Sequence, residues 1–542
     1  MLTTISRALR NQATLALTLA VLASIASPAK AAELDPLAAT IFEIQEAMAA
    51  GSLTSEQLTE LFLARIEAYE EEGPALNAII TLNPEALAEA RRLDEERSQD
   101  GPRGLLHGIP ILLKDNVETK DLPTSAGFYA LRDYQPEQDA EQARRLREAG
   151  CIIIGKANMS EFASGAAIST LGGQIRNPHD PKRSPSGSSG GTGAGIAAGY
   201  AVFGLGTDTG GSIRGPSASN GIAGLKPTTG LTGRGGIVPL SLSLDTVGPM
   251  ARHVADLAVA LEVMAGPDPR DAATDVLADR VLDKYTDALK PDSLKGARLG
   301  VLRDYMGSDP GVDAVIETAI AIMRNHGAEI IDIEFPRFLS GIASGLYRGI
   351  RNPEFPEQIT EYLETLPEGL PKSHADVVEL TEKITEETPE GWVPNPNRLQ
   401  SYQAELKAGT TEDVPYLRAL NEGRKIVRDS LQWYLDDNDL DAFIVPTRTT
   451  PPSHILAEDR PPRRPGSGRG SAAHLANAAG WPDLIVPAGF TSDPALPVAI
   501  SFIGPAFSEA RLLGLGYAFE KLMPARRLPV HTPKLDEESS EH

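Results

Sequence analysis

The chain has 542 residues, 41% of them apolar and 23% charged, with 50 Gly and 42 Pro, an ordinary globular balance with many turns and ample material for a large core. Its 51 basic residues stand against 74 acidic ones, and the net charge of −23 repels nucleic acid phosphates and anionic membrane surfaces, so neither is an expected partner. Cys151 is the only cysteine, which excludes an intramolecular disulfide and a cysteine zinc cluster, and its place in the apolar run Cys151 to Ile154 reads as a buried structural thiol.

At the amino terminus, Arg7 and Arg10 precede the apolar stretch Ala13 to Ala26, followed by Pro28 and the small-x-small triplet Ala29-Lys30-Ala31. That order is the layout of a cleavable secretory signal, and the stretch falls short of the ~20 residues that span a bilayer. The expectation is a signal over 1–31 and an exported mature chain, periplasmic or secreted, over 32–542. Between Thr40 and Tyr69 the apolar residues Ile41, Ile44, Met48, Leu58, Leu61, Phe62, Ile66 and Tyr69 predict two amphipathic helices broken at Gly51. A helix over Pro84 to Arg97, a strand over Ile109 to Leu113, a helix over Glu137 to Glu148 and a strand over Cys151 to Ile154 follow. Such alternation predicts a sheet with helices packed on its faces.

From about Asp268 to Asp441 the composition turns more charged and helical, which reads as a variable peripheral elaboration of one domain. The Pro- and Arg-rich segment Arg460 to Arg469 reads as a surface loop. Strands are predicted again at Ala442 to Pro446, Leu484 to Pro487 and Val498 to Ile503, with a last helix over Glu509 to Leu522. Both halves of the chain therefore complete one core.

Two glycine- and serine-rich stretches frame an apolar run: SPSGSSGGTGAG at 184–195 and GTDTGGSIRGPSAS at 206–219. A flexible linker would not lead directly into a segment that must be buried, as IAAGYAVFGLGTD does. GCIIIGKA at 150–157 fails as a P-loop because its interior is an apolar strand and Ala157 stands where Ser or Thr is required. Gly187, Ser189 and Gly191 fit the nucleophile elbow of α/β-hydrolases, a reading that needs one of the late histidines His454, His474 or His531, none of which has an evident acidic partner in the sequence.

Lys114 offers a different base. It follows the apolar segment of HGIPILLKDN at 107–116, and burial there favours the neutral amine, the form that accepts a proton. Bringing a lysine from a pKa of ~10.4 to near 7 costs about 4–5 kcal/mol. A neutral Lys114 can take a proton through one serine hydroxyl and so activate a second; Ser188 and Ser212 suit these roles. Gly210 and Gly211 let the turn before Ser212 aim backbone N–H groups at one point, as an oxyanion hole requires.

These residues resemble the amidase signature family. The resemblance is carried by HGIPILLKDN at 107–116, GKANMSEFA at 155–163, SPSGSSGGTGAG at 184–195 and GLGTDTGGSIRGPSASNGIAGLKPT at 204–228. It extends to WPDLIVPAGF at 481–490 and LPVAISFIGPAFSEARLLGLGYAFE at 496–520. It implies an α/β fold, a central mixed β-sheet covered by α-helices on both faces. It also implies a Ser-cisSer-Lys triad: Ser212 as acylating nucleophile, Ser188 as proton bridge after a cis peptide bond from Gly187, and Lys114 as base. The N–H groups of Thr209, Gly210, Gly211 and Ser212 are the implied oxyanion donors.

Asp208 and Arg214 are expected to hold the loop, Ser189 to support that loop, and Thr207 either to orient the bridging network or to serve as a structural hydroxyl. Phe162 and Ser188 are the implied substrate contacts, with Tyr347, Trp392 and Tyr402 as further candidates for pocket walls; the competing reading for each of the four aromatics is simple core packing. The implied activity is hydrolysis of a carboxylic amide, a small molecule or a peptide amide, to acid plus ammonia or amine, with no metal or organic cofactor. Export would set the chain apart from the tRNA-dependent amidotransferase branch. The competing readings are a serine esterase using Ser189 and a non-catalytic amide-binding protein.

Overall fold

Eleven strands form one mixed sheet in the computed structural model, which describes residues 34–456 and 472–535. In chain order they are β1 (Ile79–Leu82), β2 (Pro110–Lys114), β3 (Ile152–Ala157), β4 (Phe203–Asp208), β5 (Ala223–Lys226) and β6 (Thr246–Ala251). The second half supplies β7 (Arg298–Leu302), β8 (Glu329–Ile333), β9 (Ala442–Pro446), β10 (Asp483–Phe490) and β11 (Pro497–Ile503). Their order across the sheet is β1-β3-β2-β4-β6-β5-β10-β11-β9-β7-β8. β2 is parallel to both β3 and β4, β7 is parallel to β8 and β9, and the centre is antiparallel.

Two compact units divide the chain after Ala39. Of the first, the described residues are 34–39, which include a turn over 36–38 where the Ala38 N–H donates to the Asp35 carbonyl at 3.0 Å. The expected export signal with its boundary at Ala31, and the segment Arg460 to Arg469, lie outside the described residues.

Local chemistry accounts for the element boundaries. Thr40 with Glu43 and Thr54 with Gln57 form reciprocal capping boxes, which satisfy the free N–H groups at the starts of the helices Ile41–Ala49 and Ser55–Tyr69. The helix expected from Glu137 starts only at Glu141. The Ala140 and Glu141 N–H groups donate to the carbonyls of Glu118 and Gly235, which ties the preceding residues into an extended connection. In β2, β3 and β4 every residue is buried, the mark of strands covered on both faces.

The glycine-rich stretch at 184–195 is not a tether. Its second half forms the helix Gly190–Ala198, which packs on β2 and β4. A Cβ on Gly191 would lie 2.3 Å from the carbonyl oxygens of Ala78 and Asn158, so only glycine allows this helix to approach the neighbouring backbone so closely.

The segment 268–441 departs from the expected helical periphery. It contributes β7 and β8, which extend the central sheet at one edge. Its helix Arg337–Glu364 also joins two apolar clusters, through Leu339, Ala343, Leu346 and Ile350 on one side and Phe355, Ile359 and Leu363 on the other. The charged composition reflects the outward residues of these elements: β8 exposes Glu329 and Asp332, while Ile330 and Ile331 are half-buried and Ile333 is buried.

Candidate active site

Parallel pairing of β2 with β4 places Leu113 opposite Leu205, so the carboxyl ends of two adjacent strands carry Lys114 and the Thr207-Asp208 pair. Ligand sites in open α/β sheets form beyond such strand ends. Lys114 is fully buried. Its Nζ donates to Ser188 Oγ at 2.7 Å, to Thr207 Oγ1 at 2.7 Å and to the Thr207 carbonyl at 3.4 Å. Burial lowers its pKa to about 7, against the opposing attraction of Asp208 and Asp245. At neutral pH a substantial fraction of this lysine is therefore the free amine, able to accept a proton.

Ser188 follows a cis peptide bond from Gly187, as the resemblance implies. Its carbonyl accepts from the Ser160 N–H at 3.0 Å, and the Ser189 N–H next to it donates to the Ser212 carbonyl at 3.2 Å. These bonds hold the two serine segments side by side. Ser188 is buried, whereas Ser212 is half-buried, and among the described residues the Ser212 hydroxyl has no hydrogen-bond partner. Thr207 orients the network as expected: its Oγ1 accepts from Lys114 and from Asn116 Nδ2 at 3.1 Å.

The turn between β4 and Ser212 is held by one carboxylate. Asp208 accepts from the N–H groups of Gly211 and Ile213, both at 2.9 Å, from Arg214 Nε at 3.1 Å and Nη2 at 2.9 Å, and from Asn477 at 3.0 Å. Burial alone would raise its pKa, but Arg214 and these hydrogen bonds outweigh burial and hold it below the usual carboxylate range. Arg214 in turn reaches Asp483 at 3.0 Å. Asp208 and Arg214 thus hold the loop, as expected.

One expected oxyanion donor is otherwise engaged, since the Gly211 N–H is directed at Asp208. Among the described residues the N–H groups of Thr209, Gly210 and Ser212 carry no hydrogen bond. Gly211, at φ +117, supplies the backbone turn that only glycine adopts readily.

A cavity of about 260 Å³ opens beside this loop. Gly187 and Gly211, the residues immediately before the two serines, line it together with Gly210, Arg448 and His474. Tyr347 stands next to it: its ring stacks on His474 with centroids 4.5 Å apart, and a Cβ on Gly210 would lie 2.6 Å from that ring.

Phe162 does not belong to this wall. It is 1% exposed and its ring packs against Phe128, Phe355 and Tyr402, so its role is core packing and the expected substrate contact is corrected. Tyr402 is fully buried and donates to Glu161 at 2.7 Å, while Trp392 packs on Tyr129 and Arg132.

The nucleophile elbow is also corrected. Ser189 is fully buried and its hydroxyl donates to the Thr207 carbonyl at 3.3 Å, with no imidazole bonded to it among the described residues. His474 instead bonds Ser344 at 3.0 Å, and burial lowers its pKa to about 4. Asn116, Asp245, Asn477 and Arg448 escaped the sequence reading. Asn116 alone had a local signal, since it lies two residues beyond Lys114 in the same motif.

The profile of the family described as Amidase matches residues 57–513. One component of the glutamyl-tRNA(Gln) amidotransferase from Chloroflexus aurantiacus is 39% identical over 497 residues, covering 89% of this chain and 96% of that protein. The native peptide amidase from Stenotrophomonas maltophilia superposes with a TM-score of 0.82 at 38% identity, covering 90% and 98% of the two chains. An amidase family protein from Bacillus anthracis gives 0.79 at 32%, covering 91% and 92%. With the family profile matched across most of its length and the mixed sheet shared with these structures, this chain belongs to the amidase family.

Proposed function

We propose that this protein is a free-standing amide hydrolase that works through an acyl-enzyme on Ser212. The observation that carries the reading is the 2.7 Å contact between Lys114 and Ser188, made by a buried lysine whose pKa is about 7. In the neutral amine state the Ser188 hydroxyl donates to the Nζ lone pair, which leaves its oxygen open to accept from the Ser212 hydroxyl once that hydroxyl, unbonded among the described residues, turns toward it. As Ser212 Oγ attacks the amide carbonyl carbon, its proton passes to Ser188 and the Ser188 proton to Lys114. Negative charge gathers on the carbonyl oxygen, where the N–H groups of Gly210 and Ser212, with Thr209 as a third donor, stabilise it; one such donor is worth about 3–4 kcal/mol.

Collapse breaks the C–N bond, and the proton held on Lys114 returns through Ser188 to the leaving ammonia or amine. Water then repeats the sequence: it loses a proton along the same path, attacks the acyl carbon and releases the acid and Ser212. The similarity to a peptide amidase over nearly the whole of both chains supports a peptide amide as substrate. The order of residues at the amino terminus supports action outside the cytoplasm, where tRNA and ATP are absent. The high negative charge supports a small-molecule or peptide amide as partner rather than nucleic acid or membrane.

The test is a fluorophosphonate reaction followed by peptide mass mapping. We expect the label on Ser212, and its loss together with at least a thousandfold loss of turnover in Ser212→Ala, with folding unchanged because the hydroxyl holds nothing. A label on Ser189, or turnover surviving in Ser212→Ala, overturns the reading. Ammonia release from simple carboxamides by the purified chain alone separates it from an amidotransferase component that needs partners.

A further inference from the structure

Arg448 follows β9, the strand that ends at Pro446, and lies between two cavities. It lines the 260 Å³ cavity beside Gly210 and Gly211, and also a second one of about 230 Å³. Ser186 and Gly187 line both as well, so the guanidinium stands directly beside the peptide that leads into Ser188.

Its chemistry there is incomplete. A guanidinium carries five N–H donors in a planar fork, yet among the described residues the one hydrogen bond of Arg448 is from Nη1 to Ser186 Oγ at 3.2 Å. Its Nε is shut off from solvent without a partner, and no carboxylate pairs with it among the described residues. Asp483, a carboxylate lining the same cavity, is engaged by Arg214 through Oδ2 at 3.0 Å, while its Oδ1 is buried without a hydrogen-bond partner and does not pair with Arg448 among the described residues. Arg214 shows how the chain treats a buried guanidinium it uses for structure, with two carboxylates in contact.

A buried cation is costly unless a counter-charge meets it. Arg448 is half-buried with its Nε shut off from solvent; among the described residues no carboxylate answers it, and it faces the two cavities. Its fork matches a carboxylate in a bidentate pair.

We infer that Arg448 is a specificity-determining residue that binds a carboxylate carried by the amide substrate. The substrate class is then an amide bearing a free carboxylate within one cavity length of the scissile carbonyl. The hydroxyls of Thr447 and Ser501 bond each other at 3.0 Å, which leaves the guanidinium as the anchor. The inference rests on the amide hydrolase reading for the reaction and adds what the reaction selects.

Two matched substrate pairs test it: succinamate against butyramide, with the carboxylate on the acyl side, and N-acetylglycine against N-ethylacetamide, with it on the leaving side. In one pair we expect the wild-type kcat/KM of the charged member to exceed that of the neutral one by about a hundredfold. The ratio should fall to near one in Arg448→Met and stay intermediate in Arg448→Lys. Because the readout is a ratio within each variant, partial loss of folded protein does not mimic the result. A wild-type ratio near one in both pairs, or a ratio that survives Arg448→Met, overturns the inference while leaving amide hydrolysis standing.

Calorimetry on Ser212→Ala with succinamate and N-acetylglycine supplies an arm independent of turnover. Saturable binding that Arg448→Met weakens by a similar factor upholds the carboxylate site even if wild type hydrolyses nothing, which would overturn only the hydrolase. Absence of both binding and turnover overturns both.

Discussion

The buried network around Lys114 and Asp208 and the cavity lining around Arg448 treat charge in opposite ways. In the first, Lys114 meets two hydroxyls and a carbonyl, and Asp208 meets two backbone N–H groups, one guanidinium and one amide. In the second, Arg448 has one hydroxyl among the described residues, and burial keeps His474 neutral at pH 7. The difference teaches where each task belongs. Groups that must act in a fixed geometry are locked before substrate arrives, whereas a group that recognises substrate keeps its bonding capacity for it.

The largest break in that comparison comes from Lys114→Met, which keeps the volume and apolar stem but removes the base. We expect kcat/KM to fall a thousandfold or more, within the range general base removal produces, with the thermal midpoint little changed. The wild-type pH profile sharpens the same point. Burial has brought the Lys114 pKa down to about 7, so protonation below that pH removes the acceptor. The rate should drop about tenfold per unit below pH 7 and level off above it. A flat profile down to pH 5, or activity retained in Lys114→Met, would sink the lysine base.

Asp208→Asn attacks the satisfied network itself. It leaves the buried Arg214 with only Asp483 as counter-charge, and breaking one partner of a buried pair costs about 3–5 kcal/mol. Urea unfolding should place the loss near the lower figure because Asp483 remains. A change below about 1 kcal/mol would show that Asp208 is not the clamp of this loop.

Ser189→Ala is the smallest expected effect. It removes one buried hydroxyl whose bond to Thr207 is 3.3 Å long, worth about 1 kcal/mol of stability, and amide turnover should remain within tenfold. Complete inactivation with retained folding would return the nucleophile elbow to consideration.

Several features of the site were legible because they are local. Lys114 ends an apolar strand, and the two serine segments carry glycines where the backbone must turn or approach a neighbour closely, as at Gly211 and Gly191. Strands with continuous apolar runs, such as Pro110–Lys114 and Ala442–Pro446, were legible for the same reason. By contrast, Ala223–Lys226 and Thr246–Ala251 include glycine or proline and gain strand geometry from pairing on both sides, a context that propensity does not encode.

The sequence by itself determined which residue types could perform amide chemistry and in which order along the chain they occur, since motif spacing and local backbone demands are properties of neighbours. Only the tertiary structure decided that Phe162 is core, that Gly211 gives its N–H to Asp208, and that Arg448 stands beside Gly187 with no carboxylate against it among the described residues. Each of these depends on which distant segment fills the adjacent space. For Arg448 in particular, the lack of a counter-charge among the described residues is a property of the assembled surroundings of a residue whose own stretch, VPTRTTPP, shows nothing unusual.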